Sequence, residues 1–339
     1  MLICRPAAAP DLSDLMILAE HLDSVNLPAD PDFLADRIEH SVRSFAREAP
    51  DSEAVYLLVL EDTDAERCVG TSCVIAKTGR PGVPFYWLEV STEERRSPDL
   101  DRRFVHTKLR LRSTEDGPTE VGGLILEPAY RRHPQRCGKA LSIARFSLIS
   151  AHPERFEQQV IAEMLSPFVS PGRNLLWDAF GARFTGLSYR DADRLSAKNK
   201  QFIADLFPRD PVYATLFPDD VRSAIGQTHE AARAAARILE KIGFHPLDQV
   251  DPFDGGPYYG AARDAIRSVR ERRELVLPGV PMAGTGNGDV LALLTAESKQ
   301  GFRSTVVPLD SEGSPTVSRA HREALGVTAG DRVSITPLP

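Results

Sequence analysis

Hydrophobic positions in this chain recur with two periods, and the switches between them fall at glycines, prolines and short acidic runs. "LICRP" near the start reads as a short strand. "DLSDLMILAEHL" after it reads as an amphipathic helix with Asp11 as its expected N-cap. A second helix is predicted over "FLADRIEHSVRSFAREA", where Phe33, Ile38, Val42 and Phe45 fall on one stripe. "VYLLVLED" and "CVGTSCVIAKTG" are β-rich runs either side of an acidic turn, so a hairpin is expected, and "FYWLEVSTEE" continues that sheet. "EVGGLILEP" is the next strand, "ALSIARFSLISAH" a helix, "QQVIAEML" a strand, and "NLLWDAFGARF" a helix with Phe184 turned outward. The order β-α-α-β-β-β-α-β-α predicts a mixed sheet with helices, an α/β or α+β arrangement. Beyond it the pattern is mainly helical, interrupted by the turn "FDGGPYYG". The Gly/Pro/Asn cluster "LPGVPMAGTGNGD" then reads as a linker, and the remaining short strands as a small β-rich unit. The predicted organisation is a core over 1–189, a helical extension over 190–276, a linker over 277–289 and a β-rich unit over 290–339.

Composition narrows the function classes. The 339 residues carry 42% hydrophobic and 26% charged side chains, the balance of a globular protein. A formal charge of -7 argues against a nucleic-acid partner, which needs a basic surface. No apolar run has the length of a membrane span, and Arg5 and Asp11 fall too early for a signal peptide, so a cytoplasmic protein without a membrane partner is expected. Cys4, Cys68, Cys73 and Cys137 form no metal-binding spacing and are read as free thiols.

The chemistry is concentrated at "HPQRCGKAL", a loop between strand "LILEP" and the helix that follows. It is not a Walker loop: His133 stands where the first glycine belongs and Ala140 replaces the Ser or Thr that would meet magnesium. It does match Q/R-x-x-G-x-G/A over Gln135, Arg136, Gly138, Lys139 and Ala140. There the backbone N–H groups and the start of a helix can face a pyrophosphate, with Arg131 and Arg132 adding charge. Beside it, "GGLIL" is an apolar strand in which Gly122 and Gly123 permit close approach to the backbone of Leu124 and Leu126.

With "ICRPA", "LPAD", "LILEPAYR", "ARFSLISAHPERF", "VIAEM", "KQFIADLFPRDPVY", "IGQTH", "LEKIGF", "DPFDGGP" and "ALGVTAGDRVSITPL" in order, the chain resembles the arginine N-succinyltransferase family, including arginine/ornithine succinyltransferase subunits. The resemblance implies a GNAT-like acyl-CoA transferase fold. It also implies transfer of succinyl from succinyl-CoA, a co-substrate, to the α-amino group of arginine in arginine catabolism. No tightly bound cofactor is expected, no metal is implied, and both homo- and hetero-oligomers stay open. It implies a succinyl-CoA contact at Leu124 and a proton-donor role for His229, which helical spacing from Ile225 puts on an inward stripe with Ala232, Ala236 and Leu239.

For an arginine acceptor, Glu163 at the end of its strand and Asp254 in the glycine turn are the candidate carboxylates, with Asp251 beside them. The remaining histidines form no paired constellation. The chain departs from the family pattern in several places. "VHAS" is "VSTE" at 90–93, Arg-Gly after "AEM" is Leu165 and Ser166, and "SPFW" is "NLLW". The loop also carries about two extra residues. One alignment puts Arg136 at the family's first glycine and Gly138 at its second; the other puts Gly138 at the first. These departures leave open an enzyme using another amino acid or acyl-CoA, and a non-catalytic subunit.

Overall fold

The run "VYLLVLED" is apolar at successive positions because both of its faces are covered. It forms a central strand of a sheet that begins with β1 (Leu2–Pro6), α1 (Leu12–Glu20), α2 (Pro31–Phe45), β2 (Val55–Asp62) and β3 (Arg67–Ile75). Tyr56, Leu58 and Leu60 point to one core, and Leu57 and Val59 to the core under α1 and α2. The chain continues through β4 (Phe85–Ser97), β5 (Arg102–Thr114), β6 (Thr119–Leu126), α3 (Cys137–Ala151) and β7 (Gln159–Glu163). The computed structural model describes residues 1–20, 28–170, 172–196, 200–279 and 290–339. The predicted linker therefore lies outside the described residues from 280 onward.

The first two helices differ in detail from the sequence reading. Asp11 is not an N-cap. It is buried at the end of a short 3-10 turn, accepts the Ala8 N–H at 2.8 Å, and takes both terminal nitrogens of Arg5 at 2.7 and 2.9 Å. Asp30 caps α2, accepting from Asp32 and Phe33. The inward stripe of α2 carries Leu34, Ile38, Ser41 and Ser44, while Val42 is 47% exposed. The two serines lie inside because their hydroxyls accept the Leu57 and Val55 N–H groups at 2.9 and 3.0 Å. Hydrogen-bond demand at the strand, not apolar periodicity, sets that face.

After β7 comes a π-helical turn at Trp177–Gly181 that runs into α4 (Ala182–Thr185). There follow α5 (Tyr189–Ser196), α6 (Gln201–Leu206), β8 (Val212–Tyr213), α7 (Asp219–Ala224), α8 (Arg233–Lys241), β9 (His245–Val250), β10 (Pro257–Ala262), β11 (Arg273–Val276), β12 (Val290–Ser298), β13 (Gly301–Leu309) and β14 (Arg332–Pro337). Among the described residues fourteen strands join one sheet, ordered β11-β14-β12-β13-β1-β2-β3-β6-β7-β10-β9-β4-β5-β8. The hairpin of β2 and β3 is as expected. "FYWLEVSTEE" joins the same sheet, but as β4, at the far end beside β9 and the unanticipated β5.

The helix α3 lies against one face of this sheet and is buried on nearly all sides. Such a helix is hydrophobic all round rather than amphipathic. The strand pair that matters most is β6 with β7, the parallel pair. It is joined only at Thr119↔Val160 and Glu120↔Ile161, whereas β6 pairs with β3 as far as Gly70↔Leu126. From Val121 onward β6 and β7 diverge, so the edge of β6 facing β7 has no ladder partner.

Residues 290–339 extend the sheet directly: Ile3↔Thr305 and Cys4↔Ser304 join β1 to β13, and Leu293, Phe302, Val306 and Leu338 belong to the core around α3. Burying four such side chains contributes about 1.5–3 kcal/mol each, comparable together with a whole domain's stability of about 5–15 kcal/mol. We expect a chain ending at residue 279 to lose cooperative thermal unfolding by circular dichroism. A truncated protein melting like the full chain would show that these strands are dispensable.

Candidate active site

The site is built where the splayed strands β6 and β7 meet the turn before β10. "DPFDGGP" folds as an Asx turn: Asp251 Oδ1 accepts the N–H groups of Phe253 at 2.7 Å and Asp254 at 3.0 Å. Asp254 Oδ1 in turn accepts the Gly256 N–H at 2.6 Å. Gly256 is required by approach: a Cβ there would sit 2.1 Å from the Met164 carbonyl oxygen. The turn is thus pressed against the end of β7. One oxygen each of Glu163, Asp251 and Asp254 lies within 4.8 Å of the others.

These carboxyls share an apolar surrounding. Burial raises Glu163 well above the usual carboxylate range, and the charges of Asp251, Asp254 and Glu120 push it further. Burial, then Asp251, raises Asp254 to about 7, against N–H groups of Gly256 and Ser166 that favour its charged form. Asp251, Glu120 and Asp193 are also raised, each chiefly by burial. The Lys200 ammonium acts against that rise at Glu120, Glu163, Asp193 and Asp251. No hydrogen-bond donor reaches the Glu163 carboxylate among the described residues. The bowl has spare acceptors whose ionisation a counter-charge would favour, so it can hold an organic cation or, by its donor set, a hard divalent ion.

His229 reaches this region by a route the helical reading did not foresee. The predicted helix over "VRSAIGQTHEAARAAARILEKIGF" is two helices, α7 and α8. The break falls at Gly226, whose φ of 72° lies in the left-handed region and whose N–H bonds the Gly255 carbonyl at 2.9 Å. His229 is therefore not on a helix stripe with Ala232, Ala236 and Leu239; it caps the turn before α8. Its N–H donates to Leu165 O at 2.7 Å, and the next residue's N–H, from Ser166, donates to Asp254 Oδ2 at 3.2 Å. Leu165 and Ser166 thus tie the histidine and the acidic bowl to one backbone. The His229 Nδ1 accepts the Ala231 N–H at 3.2 Å. In the neutral ring this places the proton on Nε2, which has no hydrogen-bond partner among the described residues; the residue as a whole is half-buried.

The loop before α3 carries the other half. Arg136 sits at the N-cap in the left-handed region, φ 52° and ψ 47°, without a side-chain cap. That conformation favours glycine, so the backbone favours the alignment with Arg136 at the family's first glycine and Gly138 at its second. The N–H groups of Cys137 and Gly138 are in the first turn and have no acceptor within the helix. Leu126 Cδ2 lies 3.6 Å from where a Cβ on Gly138 would stand, so the open end of β6 and the start of α3 adjoin. Leu124 and Leu126 are half-buried and pack against the core around α3. Gln135 is half-buried, with its N–H donated to His133 Nδ1 at 3.3 Å, and Ala140 is buried. Lys139 is not free: its ammonium bonds the Pro339 carbonyl oxygen. Burial, then Arg136 and Lys241, lowers its pKa.

The family model for the arginine N-succinyltransferase beta subunit matches residues 2–268. The chain belongs to the arginine N-succinyltransferase family. It is 32% identical over 343 residues to the arginine N-succinyltransferase of Citrobacter koseri, with 100% of this chain and 98% of that one aligned. It is 33% identical over 345 residues to that of Yersinia enterocolitica, with the same coverage. The solved arginine/ornithine succinyltransferase subunit AI from Pseudomonas aeruginosa superposes with a TM-score of 0.84 at 30% identity, covering 100% of this chain and 99% of that one. The fold is the mixed α/β, GNAT-like one expected. Among the described residues no helix is long and apolar enough to cross a membrane.

Two departures from the arginine N-succinyltransferase pattern explain each other. Ser166 and Asn174 stand at family glycine and serine positions, and Asn174 Nδ2 bonds Ser166 Oγ at 3.0 Å and Asp254 O at 3.0 Å. Both are buried and both bond the Asp254 turn. Glu120 and Asp193 were missed by sequence reasoning. The available signal was strand register: Glu120 is on the face of β6 opposite core residue Val121, as Glu163 on β7 is opposite Ala162.

The raised carboxyls predict a stability signature. In the unfolded chain Glu163 loses its proton near the ordinary carboxylate range, while the folded protein retains it to higher pH. Stability therefore falls as pH rises through that window. Glu163→Gln should raise the Tm of the ligand-free protein at pH 8 by a few degrees, on the order of 1 kcal/mol, and the gain should vanish near pH 4. A Tm unchanged at pH 8 would mean that Glu163 titrates normally.

Proposed function

We propose that this chain is an arginine N-succinyltransferase, transferring the succinyl group of succinyl-CoA to the α-amino group of L-arginine. The observation that supports this reading is that the Glu163–Asp251–Asp254 bowl lies at the end of β7, beside the open edge of β6, and that His229 is tied to the same backbone through Leu165 O. In it, the CoA pyrophosphate lies over the segment Gln135 to Ala140, facing the first N–H groups of α3, with the exposed Arg136 adding charge. Lys139 contributes field rather than contact, being bonded to Pro339. The pantetheine runs along the unpaired edge of β6 at Leu124 and Leu126, where strand N–H groups are available to the thioester oxygen.

The acceptor is an organic cation that the acidic bowl suits. Glu163 and Asp254 take its guanidinium or its α-ammonium, and a planar guanidinium can bond two carboxylates at once. The amine attacks the thioester carbonyl only when neutral. A carboxylate with a pKa near 7 is matched to receiving that proton at working pH, and Asp254 fits. As the tetrahedral intermediate collapses, the carbon–sulfur bond breaks and the CoA thiolate leaves. His229 Nε2–H supplies its proton. Both substrates are metabolites of the cytoplasm, the compartment this reading assigns. No tightly bound cofactor enters these steps.

The test is release of CoA thiol with formation of N-succinylarginine. We expect turnover with succinyl-CoA and L-arginine, with ornithine as the second acceptor to try and acetyl-CoA as the weaker donor. No turnover with any pair of acyl-CoA and basic amino acid would overturn the assignment and favour a non-catalytic subunit.

His229→Ala should lower kcat roughly a hundredfold or more while CoA binds with unchanged affinity by calorimetry. A folded variant with near-normal kcat would reduce the residue to a cap for α8.

A further inference from the structure

On the α3 side of the sheet, away from the site above, a cavity of about 220 Å³ lies between the end of α3 and the strands β11, β12 and β14. It is smaller than the roughly 300–1,000 Å³ of pockets for drug-sized ligands, so it admits only a small metabolite. Polar and charged side chains line it together with the apolar Ala151 and Val333. Thr295, on β12, is 5% exposed, and its hydroxyl has no hydrogen-bond partner in the protein. Arg272 brings a buried Nε that is also without a partner, although its Nη1 bonds Glu274 at 2.9 Å. Buried polar atoms are nearly always paired, so two unpaired ones lining a single cavity call for an outside group.

The unused capacity favours an anion. Glu297 is already occupied by His152 Nε2 at 2.6 Å, and that bond, outweighing burial, holds its carboxyl below the usual range. Glu274 is occupied by Arg272, with Arg332 a further 3.9 Å away at the mouth. Each carboxylate thus already has a cationic partner, whereas the Arg272 Nε–H and the Thr295 hydroxyl have protons to give. Arg332, 82% exposed, has among the described residues only that one distant carboxylate within reach of its guanidinium. We propose that this cavity binds a small dicarboxylate: one carboxylate on Arg272 Nε and Thr295 Oγ1 at the floor, the other on Arg332 at the mouth. Ala151 and His152, the end of α3, form one wall, and the opposite end of the same helix carries the loop assigned to the CoA pyrophosphate. Occupancy is thereby in contact with the helix that positions the donor substrate.

Calorimetric titration of the full chain with succinate tests this. We expect saturable binding of succinate, and at least tenfold weaker binding of acetate, which lacks the second carboxylate. Thr295→Val keeps the side-chain shape and removes the unpaired hydroxyl. It should weaken succinate binding tenfold or more while leaving the KM for succinyl-CoA unchanged and the ligand-free Tm no lower. Arg272→Gln should weaken binding by at least as much. Undetectable succinate binding, equal binding of acetate, or full binding in both variants would overturn the proposal. The last result would place succinate in the acyl-transfer site instead.

Discussion

Two residue pairs hold β6 to β7, and the gap beyond them, on which the rest of the proposed site depends, exists because the described pairing stops there. In a parallel ladder each added pair would close the gap between the strands. Here the pairing stops at Glu120, and the next residues of β6 are held from the other side by β3 alone. A bulge on β6, three residues from Gly122 to Ile125 against two from Cys73 to Thr71 on β3, turns the strand at Gly123, whose φ of 58° lies in the left-handed region. Open backbone edges inside a sheet are costly unless something pairs them. An extended amide-bearing substrate arm is one partner of the right shape, and β3 and the end of β7 keep the gap in place. The start of α3 adjoins β6 at Leu126, and the acidic turn and His229 meet the chain leaving β7 at Met164 and Leu165.

The acidic bowl shows a second tension, between stability and use. Carboxyls buried together resist ionisation, and every one that ionises without a counter-charge destabilises the fold. The turn limits this by aiming backbone N–H groups at Asp251 and Asp254, and Lys200 lends its field from the rim. Glu163 receives no such bond. The arrangement is a poor solution for a ligand-free protein and a good one for a protein that meets a cation, which is how binding sites differ from cores.

Much of this was legible from residue order. The strands around α3, the loop before it and the carboxylates of "DPFDGGP" follow from periodicity, glycine placement and resemblance. The misreadings have physical causes. Periodicity cannot see that Ser41 and Ser44 face inward to serve strand amides, so Val42 was placed on the wrong side. The run containing His229 has helical composition throughout, and one glycine in the left-handed region, bonded to Gly255, outweighs it. Strand β5 mixes cations with Phe104, Val105 and Leu109, and it pairs with β4 over thirteen residues by cross-strand contacts that a single segment does not reveal. Glu120 resembles any surface glutamate until register sets it beside β7.

The place of β1 in the sheet has a kinetic consequence. Its neighbours are β2, about fifty residues along the chain, and β13, about three hundred residues along it. Closing so long a loop carries an entropic cost that must be met before the contact rewards it, and such distant pairings slow folding. During synthesis, β1 can join β2 early, but its other edge stays open until nearly the whole chain has left the ribosome. For that interval an apolar strand edge is available to any other extended segment. A folding cell must shield it, and expression at lowered temperature or with chaperones in excess is where that exposure would be felt.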